Sequence, residues 1–157
     1  MTSSAPHWPL CSQAGMSLSV YLCDSVRGGR EERALYERIV QELKRHGTVL
    51  TDISEAGEDA SKKGDKVTHG RDAERLKKAD VVVAEVTRPS FGVGYELGQA
   101  LAMNKKILCL FRPSCGRELS AMIRGAHDRH LVLVKDYEAE EIEGILSEYF
   151  TVTFPSL

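Results

Sequence analysis

Neither sign of charge is in excess in this sequence, which has 21 Lys and Arg against 23 Asp and Glu. It therefore lacks the basic field that holds a nucleic acid polymer by its phosphates. It also lacks any apolar run near the ~18 residues of a membrane-spanning helix, and the opening "MTSSAPHWPLCSQAGMS" lacks the basic and apolar regions of a signal peptide. We expect no nucleic acid polymer and no membrane as partner. We expect a cytoplasmic protein that, at 17.4 kDa, is small enough to diffuse into the nucleus.

The cysteines and histidines likewise show no spacing that indicates a disulfide framework or a metal site. The four cysteines show no C-x-x-C spacing, and the histidines are scattered without the spacing of metal ligands. Cys23 and Cys109 lie in apolar, strand-like runs, where thiols are ordinarily inert packing groups. The sequence therefore predicts no metal site, no disulfide framework and no cofactor.

Apolar runs separated by helical patterns occupy most of the chain. The strand-like runs are "LSVYLC", "TVLTD", "DVVVAEV", "KILCLF" and "HLVLV". Strands that are apolar on both faces and alternate with helices predict a doubly wound (Rossmann-like) five-stranded parallel sheet flanked by helices. We expect a disordered leader over 1–16, a single domain over 17–151 and a tail over 152–157.

Two loops follow strands at the edge where such sheets bind ligands. "DSVRGGR" follows the first strand and precedes a helix, so its backbone N–H groups and Arg27 suit an anion such as a monophosphate. A flexible turn with solvated arginines is the alternative. "TRPSFGVGYE" follows the third apolar strand and leads into a glycine-rich helix.

The stretch "GVGYELG" places a carboxylate, Glu96, among three glycines. Each interior glycine costs a helix roughly 1 kcal/mol relative to alanine, so the glycines suggest that something approaches the backbone closely. The string is one residue too long for the dinucleotide fingerprint G-x-G-x-x-G. We expect Glu96 in the first turn of its helix, beside core-facing Leu97 and Leu101, where the helix dipole favours an ionised nucleophile. An ordinary N-terminal glutamate is the alternative.

A second carboxylate, Asp72, shares one face of a charged helix with His69 and Leu76. An acid half-buried beside leucine would have a raised pKa, as a general acid requires. A solvated helix face is the alternative. One ionised and one protonated carboxylate form the pair that breaks glycosidic bonds with retention, but spacing alone does not establish that pairing.

Three segments together resemble a known family. "YLCDSVRGGRE", "DVVVAEVTRPSFGVGYELGQALAMNKKILCLFRP" and "LSAMIRGA" are similar to the 2′-deoxynucleoside 5′-phosphate N-hydrolases, relatives of the nucleoside 2-deoxyribosyltransferases. The likeness runs from about Ser19 to Tyr149 and is weakest around residues 53–66. It implies hydrolysis of the N-glycosidic bond of deoxynucleoside monophosphates, through a glycosyl-enzyme intermediate, to 2-deoxyribose 5-phosphate and a free base.

The resemblance also implies roles for individual residues. Glu96 would be the nucleophile, Asp72 would protonate the departing base and Tyr21 would orient Glu96. A homodimer is implied, with two of the substrate-binding residues acting from the partner subunit, namely Ser120 and Met122. The full substrate-binding set is Ser25, Val26, Arg27, Gly28, Ser90, Gly92, Gly94, Ser120 and Met122.

Asp24 departs from the family pattern, which commonly has glycine there. Its charge would either oppose the phosphate, or pair with Arg27 or Arg30, or accept a hydrogen bond from the base. The role of His69 is left open. Two other functions also stay open: a deoxyribosyltransferase, in which a second base captures the intermediate, and a non-catalytic nucleotide-binding module.

Overall fold

The computed structural model describes residues 18–24, 29–50 and 64–155. The strands are β1 (Leu18–Asp24), β2 (Gly47–Val49), β3 (Val81–Glu85), β4 (Lys106–Phe111) and β5 (Val132–Asp136). The helices are α1 (Arg30–His46), α2 (Asp65–Lys78), α3 (Phe91–Ala102), α4 (Ala121–Arg124) and α5 (Ile142–Thr153). This alternation confirms the predicted α/β class.

All five strands pair in parallel, in the order β2-β1-β3-β4-β5. The chain first moves outward from β1 to β2 and then returns past β1 to β3, so the direction of winding reverses between β1 and β3. Ligands of doubly wound sheets bind at the carboxyl ends of the strands beside such a reversal. Asp24 and Glu85 end these two strands and lie side by side in the register.

The side chains of each strand alternate between two hydrophobic cores, because successive strand residues point to opposite faces of a sheet. On β1, Val20 and Leu22 join the core covered by α1 and α5. Tyr21 and Cys23 join the other core, which includes side chains of α2 and α3. The face of the sheet on which a β1 side chain lies therefore follows from its parity.

Two boundaries differ from the sequence prediction. β2 begins at Gly47, one residue before the predicted run "TVLTD", and a Cβ on Gly47 would lie 2.3 Å from the carbonyl oxygen of Leu18. Glycine is needed at that position for close approach of the two strands. α3 begins at Phe91, which is earlier than a helix with Glu96 in its first turn would begin. In the part of the chain that the structure describes, no helix is long and apolar enough to cross a membrane.

Candidate active site

Glu96 lies on α3, which starts just after the loop that follows β3. Because the helix begins at Phe91, Glu96 is in the second turn, and the expectation of a first-turn carboxylate is wrong. The effect of a helix dipole falls off within the first turn. The charge state of Glu96 therefore depends on its neighbours rather than on the helix end.

Those neighbours act on Glu96 in opposite directions. Burial raises the pKa of the carboxyl above its usual value, hydrogen bonds with the Cys23 thiol and the Tyr21 hydroxyl lower it, and the charge of Asp72 raises it. The balance leaves the pKa raised. The structure thus brings four side chains, Tyr21, Cys23, Asp72 and Glu96, into one interacting group beside the β1–β3 reversal.

Tyr21 lies in the middle of β1 and is almost fully buried. Burial, followed by the charge of Glu96, raises the pKa of the Tyr21 hydroxyl far above its usual value. The hydroxyl is therefore protonated at neutral pH and can act as a hydrogen-bond donor. The role of Tyr21 in orienting Glu96 stays a prediction.

Asp72 lies on α2 and is part-buried. Its Oδ1 is 3.4 Å from Nε of Arg71 and 3.9 Å from Nη1 of Arg75, so it belongs to a charged group on its own helix. Leu76 is fully buried, as the shared helix face predicted. His69, by contrast, is exposed, and its Nε2 lies 3.1 Å from the hydroxyl of Tyr95 on α3. His69 therefore links the two helices beside the site.

Ser90 is the N-cap residue of α3. Its Oγ accepts a hydrogen bond of 3.3 Å from the backbone N–H of Val93. This contact occupies an acceptor position of the hydroxyl and leaves its proton available to a ligand. The N-terminus of α3 combines that hydroxyl with free backbone N–H groups, which is a favourable environment for an anion.

Gly92 and Gly94 lie on opposite flanks of α3. Gly92 is four residues from Glu96 and shares its flank, whereas Gly94 lines an apolar cleft on the other flank with Gly98 and Leu101. A Cβ on Gly94 would meet no atom within 4 Å, and one on Gly92 would meet only Ser90 Oγ, at 3.8 Å. The packing of the described chain therefore does not explain either glycine.

Ser120 and Met122 lie at and beyond the start of α4, and both line the same apolar cleft of about 510 Å³. Glu96 is not among the residues of this cleft. The expectation that Leu101 faces the core is wrong, because 42% of its surface is exposed into the cleft. Within one chain, Ser120 and Met122 thus lie on the side of α3 away from Glu96.

Asp24 lies on the opposite face of the sheet from Glu96. It follows the parity of Val20 and Leu22, and it lines a small cavity of about 30 Å³ beside Arg33, Arg88 and Arg112. These three arginines differ from Arg27 and Arg30, the two that the sequence suggested as partners for Asp24. The four substrate-binding candidates of the first loop, Ser25, Val26, Arg27 and Gly28, lie outside the described residues.

Cys23 is the residue that sequence reasoning missed. It was expected to be inert, yet it lowers the pKa of the Glu96 carboxyl. A signal was present, because a residue two positions from Tyr21 on a strand must face the same way. In the described part of the chain, no group of three or more His, Cys, Asp or Glu is arranged to hold a metal ion.

Comparison with known proteins gives a consistent result. Residues 20–134 match the family model described as nucleoside 2-deoxyribosyltransferase. A pike (Esox lucius) protein named 5-hydroxymethyl-dUMP N-hydrolase is 58% identical over 139 residues, which cover 85% of this chain and 96% of that protein. The human protein of the same name is 57% identical over 143 residues, covering 87% and 82%.

A solved structure extends the comparison to the fold. A CMP N-glycosidase from Clostridium botulinum superposes with a TM-score of 0.64 at 25% identity, covering 83% of this chain and 98% of that one. These matches confirm the resemblance that the sequence motifs indicated.

Proposed function

Because this chain belongs to the nucleoside 2-deoxyribosyltransferase family, we propose that it hydrolyses the N-glycosidic bond of 2′-deoxynucleoside 5′-monophosphates. The products are 2-deoxyribose 5-phosphate and the free base. The relatives' name makes 5-hydroxymethyl-dUMP one substrate to test, beside an unmodified nucleotide such as dGMP.

The observation that carries this proposal is the placement of two carboxylates, Glu96 and Asp72, close enough that the charge of one raises the pKa of the other. They come from different helices beside the β1–β3 reversal. Cleavage of the glycosidic bond develops positive charge on the sugar, which an ionised carboxylate stabilises more in the transition state than in the ground state.

In the first step, a carboxylate oxygen of Glu96 bonds to C1′ while the bond from C1′ to the base nitrogen breaks. The electron pair of that bond leaves with the base, which takes a proton from the carboxyl of Asp72. In the second step, water attacks C1′ and returns a proton to Asp72, and the ester to Glu96 is broken. Tyr21 holds the nucleophile throughout.

The 5′-phosphate binds at the N-terminus of α3. Ser90 and the free N–H groups of the first turn supply donors, and the positive end of the helix dipole supplies charge. The loop over residues 25–28 is proposed to complete the site, with Arg27 as its fixed cation. A phosphate requirement distinguishes this function from that of enzymes that take unphosphorylated nucleosides.

A second copy of the chain is proposed to cover the apolar cleft beside α3. Met122 is 85% exposed and Phe91 is fully exposed, and both line the cleft. Contiguous apolar surface of this kind is typical of an interaction site. Within one chain, Ser120 and Met122 lie across α3 from Glu96, so they are poorly placed to reach the substrate of their own subunit. A two-fold dimer that packs these surfaces together would instead bring them to the substrate of the partner subunit.

Separation of reaction products tests the function. The protein is incubated with dGMP, 5-hydroxymethyl-dUMP, GMP or deoxyguanosine, each with and without a free acceptor base. We expect free base from deoxynucleotides and little from GMP or deoxyguanosine. A new nucleoside formed with the acceptor would indicate a transferase instead. Measurable binding with every nucleotide intact would indicate a non-catalytic module.

Mixed subunits test the dimer. Glu96→Gln and Ser120→Ala proteins are each expected to be weakly active, and a mixture should regain activity because one site of the heterodimer carries neither change. The matched control mixes Glu96→Gln with Asp72→Asn, two changes proposed to act within one chain's site. If subunit exchange is confirmed by mass and the first mixture shows no gain over its parents, the trans role of Ser120 is wrong.

A further inference from the structure

Two helices, α2 and α3, face each other beside the two carboxylates. On α3, Tyr95, Glu96 and Gln99 share one flank by their three- and four-residue spacing, and on α2 the same spacing places His69 beside Asp72. The charge of Asp72 acts on Glu96, and the ring of His69 lies against that of Tyr95. Each helix therefore presents one carboxylate and one aromatic side chain to the other.

The contact between His69 and Tyr95 joins the two helices directly. Nε2 of His69 lies 3.1 Å from the hydroxyl oxygen of Tyr95, which is hydrogen-bond distance. The two rings are 5.7 Å apart at an interplanar angle of 55°, which is within the range of tilted aromatic pairs. Nε2 of Gln99 lies 3.5 Å from the same hydroxyl. The Tyr95 hydroxyl is therefore the centre of a three-residue contact.

We propose that His69 and Tyr95 are positioning residues, whose contact holds α2 and α3 at the spacing that the two carboxylates need for the reaction. This inference rests on the proposed function, because it concerns the nucleophile and the acid of that reaction. The contact joins a residue three positions before Asp72 to the residue directly before Glu96. A shift of one helix relative to the other would change the separation of the carboxylates, and a displacement of about 1 Å can lower a rate about a hundredfold.

The position of α2 depends on such contacts because few of its side chains are buried. All 14 of its residues belong to the described part of the chain, and among them only Leu76 is buried. At its C-terminal end, Lys105, which follows α3, donates hydrogen bonds of 2.8 Å to two carbonyl oxygens. Asp72 lies midway along the helix, so an attachment at one end does not fix it. The contact between His69 and Tyr95 supplies a second attachment, nearer the N-terminal end.

The contact lies at the surface, so its effect on the reaction can be separated from an effect on folding. His69 is exposed, and 57% of the surface of Tyr95 is exposed. One hydrogen bond makes only a small net contribution to the free energy of unfolding, so variants that lack this one should fold. The 5′-phosphate is proposed to bind through groups of α3 and the first loop, none of which belong to α2. We therefore expect the loss to appear in kcat and not in KM.

Substitutions that keep an aromatic ring isolate the hydrogen bond. Tyr95→Phe removes the hydroxyl and His69→Phe removes the ring nitrogens, and each should lower kcat about tenfold with KM within about twofold of wild type. His69→Gln places an amide nitrogen near the position of Nε2 and should restore most of kcat. Glu74→Gln is the matched control, because it removes the charge from an exposed ion pair on the same helix, in which Nζ of Lys77 lies 3.3 Å from the carboxylate. It should leave kcat unchanged.

The double variant tests whether the two side chains act as one unit. If they act through their contact, His69→Phe/Tyr95→Phe should be no slower than the slower single variant, because the contact is already lost. Single losses that multiply in the double variant would mean independent roles, and a loss mainly in KM would mean that the side chains bind substrate. Either result, or a kcat within about twofold of wild type in both single variants, would overturn the proposal.

Hydrogen exchange tests the positioning of α2 without using activity. Amides of residues 69–75 should exchange faster in Tyr95→Phe and His69→Phe than in wild type, whereas those of residues 107–110 in β4 should be unchanged. Exchange in α2 that responds to neither substitution would overturn the proposal. If wild type hydrolyses no nucleotide, the proposed function fails separately, and the exchange result alone decides whether the contact holds α2.

Discussion

Replacing Gly94 with alanine should make the protein more stable and less active. Gly94 is an exposed residue within α3, and a Cβ there would meet no atom within 4 Å. Alanine is favoured over glycine in a helix by about 0.5–1 kcal/mol. For a domain of this size that corresponds to a rise in Tm of roughly 1–4 °C. Activity should fall at least tenfold if substrate or partner must approach the backbone at this point.

Gly144→Ala is the control for this experiment. Gly144 is an exposed residue within α5, and a Cβ there would also meet no atom within 4 Å. The substitution should give the same gain in stability with full activity. Stability is measured by urea unfolding and by thermal scans at one protein concentration, because dissociation of a dimer would make the apparent stability depend on concentration.

The outcomes separate the causes. A raised KM with an unchanged sedimentation profile would mean that the methyl group obstructs substrate, as the sequence analysis predicted for Gly94. Loss of the dimer would mean that it obstructs the partner. A stabilised Gly94→Ala protein with activity within a few-fold of wild type would refute the reasoning that these glycines serve close approach.

Three further predictions concern charged side chains. Glu96→Gln should lose nearly all hydrolysis. Burial raises the pKa of Glu96 in the folded protein above its unfolded value of about 4.3. The stability that comes from protonated Glu96 is therefore fully present below the unfolded pKa and is lost as pH rises through the folded pKa. Because Gln does not titrate, the free energy of unfolding of Glu96→Gln, measured in urea, should rise relative to that of wild type across this pH window. Asp72→Asn should be impaired most on bases that leave poorly, and an equal loss on an activated base analogue would contradict its role as acid. Asp24→Gly should leave the KM for dGMP unchanged or raised, since Asp24 lies on the far face of the sheet, beside a small cavity lined by three arginines together with Glu32 and Glu85. A large fall in KM, greatest at low salt, would show that Asp24 repels phosphate.

The sheet was predictable from the sequence because its signals are local and strong. A run such as that of β3 is apolar at its first four positions and buried at all five, and only a strand covered on both faces buries every side chain. The start of α3 was less visible. Ser90 is a residue type that favours the N-cap, but it was assigned only as a phosphate ligand. The predicted helix therefore started too late, and Glu96 was placed in the first turn instead of the second.

Other errors arose because an apolar residue can belong either to the core or to an exposed binding surface. Leu101 was assigned to the core, yet it lines an exposed cleft, and sequence alone does not separate a core face from an interface. The thiol of Cys23 was read as packing because Glu96, whose pKa it lowers, lies on a distant segment of the chain. Strand parity could have placed both Cys23 and Asp24, since it fixes the face of each once Tyr21 is placed.

Trapping of the covalent intermediate tests the central claim most directly. Protein is mixed with excess 5-hydroxymethyl-dUMP or dGMP, quenched in acid during turnover, digested and analysed by mass spectrometry. The account predicts a deoxyribosyl phosphate ester on the peptide that contains Glu96, and its absence in the Glu96→Gln protein. Hydrolysis that proceeds with the adduct on another residue, or turnover by Glu96→Gln at a rate close to that of wild type, would contradict it.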